Sequence, residues 1–161
     1  KNTTSDAFDS DFSQGTVENG VFENIGSKGG GDGIDVSGSE ISVKDTHFIN
    51  ISDKALSVGE NSRMKASGIN IEKASIGAAS KDGSQLFLSD SKMIGIKKAG
   101  LMTYIKKTEY GPAEITAERL EYNSKAVKAI SQKGNKIVIE GKEVQSTDLN
   151  IQELYVPEGN S

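Results

Sequence analysis

The chain has 161 residues, a formal net charge of -4 and a sequence pI near 5.1. This length suits a single domain, and an acidic chain of this kind lacks the basic field that holds a nucleic-acid backbone. The absence of cysteine excludes disulfides and thiolate metal sites, and the sequence holds no run of about 18 apolar residues that would predict a membrane span.

Apolar residues recur in register along most of the chain. The first column repeats every 22 to 27 residues, and a second column follows it by five residues in each row. The first column contains Val17, Val43, Ala66, Leu88, Ile115 and Ile139, and the second contains Phe22, Phe48, Ile71, Met93, Leu120 and Val144. A repeat of this length, in which one unit alone cannot bury its apolar face, is typical of a solenoid of stacked coils.

In chain order, residues 1–13 predict a partial first rung or an irregular lead-in, residues 14–147 predict the stacked rungs, and residues 148–161 predict a last strand and the C-terminal end. Pro157 is expected to stop that last strand. We expect one domain over residues 1–161. Because a coil is already under way by Val17, we also expect the chain to be a fragment or a processed product of a longer one.

The second coil shows the expected local structure. Ile34 and Val36, and again Ile41 and Val43, alternate with polar residues, as in short strands with one face inward. Two residues after the first apolar column stand Asn19, Asp45, Gly68, Asp90, Ala117 and Gly141. Gly, Asn and Asp tolerate the left-handed conformation of tight corners, so Ala117 is the one departure. The pattern predicts an all-β fold, a single-stranded parallel β-helix of about six rungs.

Three segments, residues 31–35, 48–62 and 104–112, resemble bacterial right-handed parallel β-helix repeat proteins of the pectate-lyase-like superfamily. The resemblance extends over about residues 14–147. It implies a right-handed coil, in agreement with the general rule for parallel crossovers, and a secreted or cell-surface location. That superfamily includes polysaccharide lyases, hydrolases, epimerases, adhesins and spacers, so the resemblance implies a fold and not one activity.

The segment Gly30-Gly31-Asp32-Gly33-Ile34-Asp35 matches the G-G-x-G-x-D pattern of calcium-binding nonapeptide repeats. Asp53, one rung further on, is the residue expected to complete an oxygen cage with Asp32 and Asp35. The pattern occurs only once, although such sites need tandem copies. The alternative is therefore a glycine corner with Asp35 facing solvent. Calcium is the only cofactor that the sequence suggests, and none is required.

A second candidate site is the long corner from Tyr104 to Pro112, which carries Tyr104, Lys106, Lys107, Glu109 and Tyr110, with Lys97 and Lys98 before the same strand. Insertions in solenoids form loops on one face and often bind ligands. A lysine ammonium pairs with a uronate carboxylate, and a tyrosine ring stacks on a sugar. The alternative is a solvated loop whose lysines keep the strand edge soluble.

Catalytic signals are weak. A polysaccharide lyase needs a Lys or Arg base, and a glycosidase needs paired carboxylates. The outward column of Asp35 is expected to continue through Ser57, Ala79, Met102 and Lys128 without a second acid, and the single histidine, His47, is expected at the surface. The chain is therefore predicted not to be an enzyme.

The predicted function is that of a non-catalytic module of a secreted or cell-surface bacterial protein, acting as a rigid spacer or as a weak binder of a polysaccharide or a cell-surface partner. The alternative is the C-terminal part of a polysaccharide lyase, hydrolase or epimerase whose active rungs lie upstream. An uncapped first rung would also allow end-to-end self-association, because free strand edges pair readily.

Overall fold

The protein is a parallel β-solenoid of about six turns in a computed structural model that describes residues 1–154. The elements are β1 (Phe8–Asp11), β2 (Gln14–Glu18), β3 (Val21–Ile25), β4 (Ile34–Ser37), β5 (Glu40–Gly59), β6 (Arg63–Lys81), β7 (Gln85–Ile94), β8 (Ala99–Tyr104), β9 (Glu114–Asn123), β10 (Val127–Gln132), β11 (Lys136–Ile139), β12 (Lys142–Glu143), β13 (Ser146–Thr147) and α1 (Ile151–Leu154). Within these residues, no helix has the length and apolar character needed to cross a membrane.

Each turn has three sides, and equivalent sides of successive turns pair as parallel strands. The first side stacks β1, β4, residues 54–59, residues 76–81, β8 and β10. The second side stacks β2, residues 40–44, 63–67, 85–89 and 114–118, and β11. The third side begins with β3 and continues through residues 46–51. Strands β5 and β6 are long because each continues around two corners of its turn.

The predicted apolar columns lie inside the solenoid over the first four turns. Val17, Val43, Ala66 and Leu88 occupy consecutive register positions, as do Phe22, Phe48, Ile71 and Met93. The rings of Phe22 and Phe48 stack with centroids 5.0 Å apart and an interplanar angle of 10°. Each fully buried side chain of this size stabilises the fold by about 1.5–3 kcal/mol, so stability is distributed along the axis.

The predicted register is wrong by two residues in the fifth turn. Leu88 pairs with Ala117 and not with Ile115, and Met93 pairs with Tyr122 and not with Leu120. The corner of this turn is consequently Arg119, which has a φ of 51°, whereas Ala117 belongs to the strand. Ile115 is still buried, because residues two apart on a strand point to the same side.

The C-terminal end differs from the prediction. Strand β12 turns back and pairs antiparallel with β11 through Glu140 and Gly141, which have φ values of 50° and 78°. Two consecutive residues with positive φ form the turn that matches the twist of a hairpin. Val144, predicted as a stacked position, follows this hairpin. The chain then forms α1 and not the predicted last strand, while Pro157 lies outside the described residues.

Polar ladders run along two corners. The backbone N–H groups of Ser13, Ser39 and Ser62 donate to the hydroxyls of Ser39, Ser62 and Ser84 on the following turns, at 3.0, 3.0 and 3.1 Å. At another corner, the amide of Asn50 donates to Asn24, and the amide of Asn24 donates to Asn2, at 2.9 and 3.0 Å. These bonds satisfy polar groups at corners that break the strand pattern.

Candidate functional site

Two glycines of the predicted calcium motif, Gly31 and Gly33, are needed for packing. A Cβ atom at Gly33 would lie 2.6 Å from Cδ1 of Phe48 and 2.7 Å from the carbonyl oxygen of Ala55. A Cβ atom at Gly31 would overlap Cα of Gly26 and lie 2.8 Å from the carbonyl oxygen of Ser5. At Gly31 and Gly33 the backbone therefore passes too close to its neighbours for any residue with a side chain. This supports the alternative interpretation of the motif, a glycine corner.

The carboxylates near this corner form a different group from the predicted one. Oxygens of Asp6, Asp32 and Asp35 all lie within 4.8 Å of one another. Asp53, the third predicted ligand, lies outside this group, and its Oδ2 accepts a hydrogen bond from Nζ of Lys54 at 2.8 Å. The structure thus brings Asp32 and Asp35 together and adds Asp6 in place of Asp53.

Asp32 is the buried member of this group, with 6% of its surface exposed. Its Oδ1 accepts a hydrogen bond from the backbone N–H of Lys54 at 3.0 Å and lies 3.9 Å from the Lys54 ammonium. Burial raises the pKa of Asp32 to about 7, although the charge of Lys54 acts in the opposite direction. Carboxylate oxygens are the ligands that calcium prefers. The ammonium of Lys54 lies beside the Asp32 carboxylate and already provides a positive charge there.

A second acid does lie in the outward column of Asp35, contrary to the prediction. Asp9 of β1 stands directly opposite Asp35 on the neighbouring strand, at the strand spacing of about 4.8 Å. Partial burial and the carboxylates of Asp35, Asp11 and Asp6 raise the pKa of Asp9. On the other side of Asp35 the column continues through Ser57, Ala79, Met102 and Ile130, so the predicted Lys128 is also wrong.

The prediction that Tyr104 stacks on a sugar is wrong. Tyr104 is the last residue of β8, has 1% of its surface exposed and packs with Ile76 and Met102. The loop after it is held in place by Asp82, whose Oδ1 accepts the backbone N–H groups of Lys106 and Lys107 at 2.7 and 2.8 Å.

The polar side chains predicted to form this second site differ in their exposure and in their partners. The Lys107 ammonium pairs with Glu60, and this hydrogen bond raises the pKa of Lys107. Glu109 is exposed and Tyr110 is half-buried. Lys97 and Lys98 are exposed and precede β8, whereas Lys106 and Lys107 follow it. A six-residue strand spans roughly 20 Å, so the structure separates the two lysine pairs.

The outer surface of the first side is apolar in the later turns. Ile76, Ala79, Ala99, Met102 and Tyr104 are buried there, and Ile130, Leu149 and Ile151 pack against them. Leu149 and Ile151, which follow β13, cover this cluster. Nε2 of Gln132 donates to the Leu149 carbonyl at 3.5 Å, and Lys133 pairs with Asp148 at 3.2 Å. This part of the first side is therefore closed by the chain itself.

The second side carries an open groove of about 570 Å³ on its outer surface. We call this groove the Phe87 face, and it is lined by Ser42, Lys44, Lys65, Ala66, Ser67, Phe87 and Ser89. Phe87 is 55% exposed and stands opposite Lys65 on the neighbouring strand. Lys44 lies 3.9 Å from Glu18, whereas Lys65 forms no ion pair with any residue of the described part of the chain.

The Phe87 face was not predicted, although the sequence contains the signal for it. Leu86 and Leu88 are both buried, so strand alternation requires the residue between them to point outward. A phenylalanine at an outward position of a solenoid strand is unusual, because large apolar side chains are usually buried.

Fold and site together define a parallel β-solenoid with the exposed ring of Phe87 beside the Lys65 ammonium, which has no ion-pair partner within residues 1–154. Comparison of the chain with protein-family models, with curated proteins and with solved structures finds no match. The function is therefore argued from the chemistry of the surface.

Proposed function

We propose that the protein is a non-catalytic, right-handed β-helix module of a secreted or cell-surface bacterial protein, which binds an acidic polysaccharide on the Phe87 face. The observation that carries this proposal is the exposed ring of Phe87 beside the ammonium of Lys65, which pairs with no acid in the described part of the chain. The resemblance of the sequence to the pectate-lyase-like superfamily supports the proposed location and ligand class. The rest of the solenoid acts as a rigid spacer that presents this face.

The chemistry of the Phe87 face suits a sugar acid. The ring offers an apolar platform for the C–H face of a pyranose, and the hydroxyls of Ser67 and Ser89 offer hydrogen bonds to its hydroxyl groups. The ammonium groups of Lys44 and Lys65 offer charge-assisted hydrogen bonds to a carboxylate. Because the strands stack at a regular spacing, an extended glycan lying along the axis meets successive turns in equivalent positions.

Affinity electrophoresis and calorimetry with polygalacturonate, alginate and neutral dextran test this proposal. We expect the wild-type chain to bind the two acidic polymers and not dextran. Phe87→Ala should weaken binding by about tenfold or more, which corresponds to about 1.4 kcal/mol. Lys65→Gln should weaken binding and reduce its dependence on salt, because a charge-assisted contact is lost.

Phe12→Ala is the matched control, since Phe12 is an exposed phenylalanine, 85% accessible, at the N-terminal end of the solenoid. It should bind as the wild type does. Equal binding by wild type and Phe87→Ala contradicts the proposed site, and failure of both acidic polymers to bind leaves the spacer role alone.

A second candidate function is that of a polysaccharide-active enzyme, favoured by the placement of Asp9 opposite Asp35. The two residues occupy neighbouring positions in one outward column, and glycosidases use a pair of carboxylates that face the same bond. Release of reducing ends or unsaturated uronates from the same polymers would replace the binding proposal, provided that Asp35→Asn abolishes it.

Calcium at Asp6, Asp32 and Asp35 is a further prediction. If calcium binds there, calorimetric titration of the chain with calcium should show a saturable heat, and Asp35→Ala should remove it. Glu118→Ala, which changes a remote exposed acid, should leave this heat intact. Absence of heat with the wild-type chain refutes it.

A further inference from the structure

The outward residues of the second side change charge from one turn to the next. Along the third, fourth and fifth turns they are Arg63, Lys65 and Ser67, then Gln85, Phe87 and Ser89, then Glu114, Thr116 and Glu118. The third turn therefore presents two cations, the fourth turn presents an aromatic ring between polar side chains, and the fifth turn presents two acids. The ring of the Phe87 face lies between a positive and a negative turn.

Arg63 provides a second cation next to the Phe87 face. It precedes Lys65 by two residues on β6, so both side chains point outward, and their Cα atoms lie about 7 Å apart. Both side chains are exposed, and neither forms an ion pair within residues 1–154. Glu40 stands opposite Arg63 on β5, whereas the uncharged Ser42 stands opposite Lys65. A carboxylate between the two cations can accept charge-assisted hydrogen bonds from both.

The register places the acids of the fifth turn close to a sugar on the ring. Phe87 stands opposite Lys65 on one neighbouring strand and opposite Thr116 on the other. Glu114 and Glu118 flank Thr116 on β9, one strand spacing of about 4.8 Å beyond the ring. This distance is shorter than the Debye length of about 8 Å at physiological ionic strength. The two glutamates therefore repel an anionic sugar that extends past Phe87.

Arg119 does not neutralise the acids of the fifth turn. Its guanidinium donates to the two carboxylate oxygens of Asp90 at 2.6 and 3.1 Å and to Glu118 at 3.4 Å. One cation is thus shared between two carboxylates, and Glu114 adds a third. The surface beyond the ring keeps a net negative charge.

The groove of the Phe87 face also ends at these turns. Its lining residues belong to the second, third and fourth turns. A pyranose in an extended chain is about as long as the strand spacing of about 4.8 Å, so about three sugars in a row cover three turns.

We propose that the Phe87 face binds a short stretch of acidic polysaccharide, about three sugars long, and not a chain that lies along the whole solenoid. Arg63 and Lys65 hold the carboxylate of one sugar, and the acids of the fifth turn prevent longer contact. This inference rests on the proposed function, which supplies the ligand class. It adds Arg63 to the binding site and makes Glu114 and Glu118 specificity-determining residues.

Calorimetry of the full chain with trigalacturonate and hexagalacturonate tests the length limit. The wild-type chain should bind both with affinities that agree within about twofold. The double variant Glu114→Gln, Glu118→Gln should bind the hexamer about threefold or more tighter than the trimer, because the repulsion beyond the ring is removed. Arg63→Gln should weaken binding of the trimer by up to about fivefold, the range of exposed charge pairs.

Two controls separate this repulsion from other effects. The double variant Glu72→Gln, Glu121→Gln removes the same charge from exposed residues of the third side and should keep the wild-type ratio of the two affinities. Added salt should weaken binding of both oligomers to the wild type. It should also raise the affinity for the hexamer relative to the trimer, since repulsion is screened.

The outcomes distinguish this inference from the proposed function. If neither oligomer nor the acidic polymers bind, both are refuted. If the wild type binds the hexamer tenfold tighter than the trimer, the binding role stands and the length limit is wrong. An equal gain in the two double variants attributes the effect to net charge and overturns the role of Glu114 and Glu118. Unchanged trimer binding by Arg63→Gln removes Arg63 from the site.

Discussion

The buried carboxylate of Asp32 accepts a hydrogen bond from the backbone N–H of Lys54, one turn further along the solenoid, at 3.0 Å. The Lys54 ammonium is also nearly buried and lies between Asp32 and Asp53, at 3.9 and 2.8 Å. An acid and a base are thus both enclosed next to the glycine corner. The arrangement makes folding sensitive to the protonation of Asp32.

We expect the free energy of unfolding to fall as the pH rises through the range from about 4 to 7. Burial raises the pKa of Asp32 from 3.8 to about 7, so in this range the folded state binds more protons at this residue than the unfolded state does. Urea unfolding of wild type and Asp32→Asn at several pH values measures the effect. The difference between the two proteins should shift by a few kcal/mol in favour of Asp32→Asn as the pH rises, and a constant difference would refute the assignment.

Asp82→Ala should release the loop that follows β8. The buried Asp82 carboxylate accepts two backbone N–H groups through Oδ1, and alanine would leave both without a partner, at a cost of about 2 kcal/mol. Hydrogen exchange at Lys106 and Lys107 should accelerate. Asp82→Asn is the matched control, because its amide oxygen still accepts and asparagine tolerates the φ of 53° at this position. Equal exchange in the two variants would contradict this role.

Substitution by alanine should change stability in one direction at the buried Ser57 and Ser80 and in the opposite direction at the buried Ser62. The hydroxyls of Ser57 and Ser80 are fully buried and have no hydrogen-bond partner among the described residues. Ser80→Ala and Ser57→Ala should therefore leave stability unchanged or raise it by up to about 1 kcal/mol. Ser62→Ala should lower it by about 1 kcal/mol, since that hydroxyl accepts from the N–H of Ser39 and donates to the carbonyl of Gly59. Thermal unfolding compares the three.

Gly33→Ala should destabilise the fold, because the added methyl group would overlap the Phe48 ring and the Ala55 backbone. We expect a loss of about 1–3 kcal/mol in chemical unfolding. Gly15→Ala is the control, since no atom lies within 4 Å of the position that its Cβ would take. It should be neutral or slightly stabilising, and a similar loss in both variants would show that glycine flexibility, and not packing, explains the motif.

The parallel β-solenoid could be predicted from the sequence because its stabilising pattern is local and repeated. Alternation of Ile34, Val36, Ile41 and Val43 shows which residues face inward, and polar corner residues such as Asp45 and Asp90 have the positive φ values that tight corners require. The register of the fifth turn could not be predicted, since a slip of two residues keeps Ile115 and Ala117 on the same face. Only pairing with Leu88 distinguishes them.

The sequence by itself determined the inward and outward residues of the coil, because side-chain direction on a strand follows from a period of two. The tertiary structure decided which outward residues meet and which are covered. It placed Asp9 opposite Asp35, separated Lys97 from Lys106, and buried Tyr104 near the segment that contains Leu149. The pairing of Asp9 with Asp35 and the burial of Tyr104 near Leu149 join residues that are far apart in the chain, so no local pattern encodes them. They depend on how many residues each turn contains and on where the chain folds back.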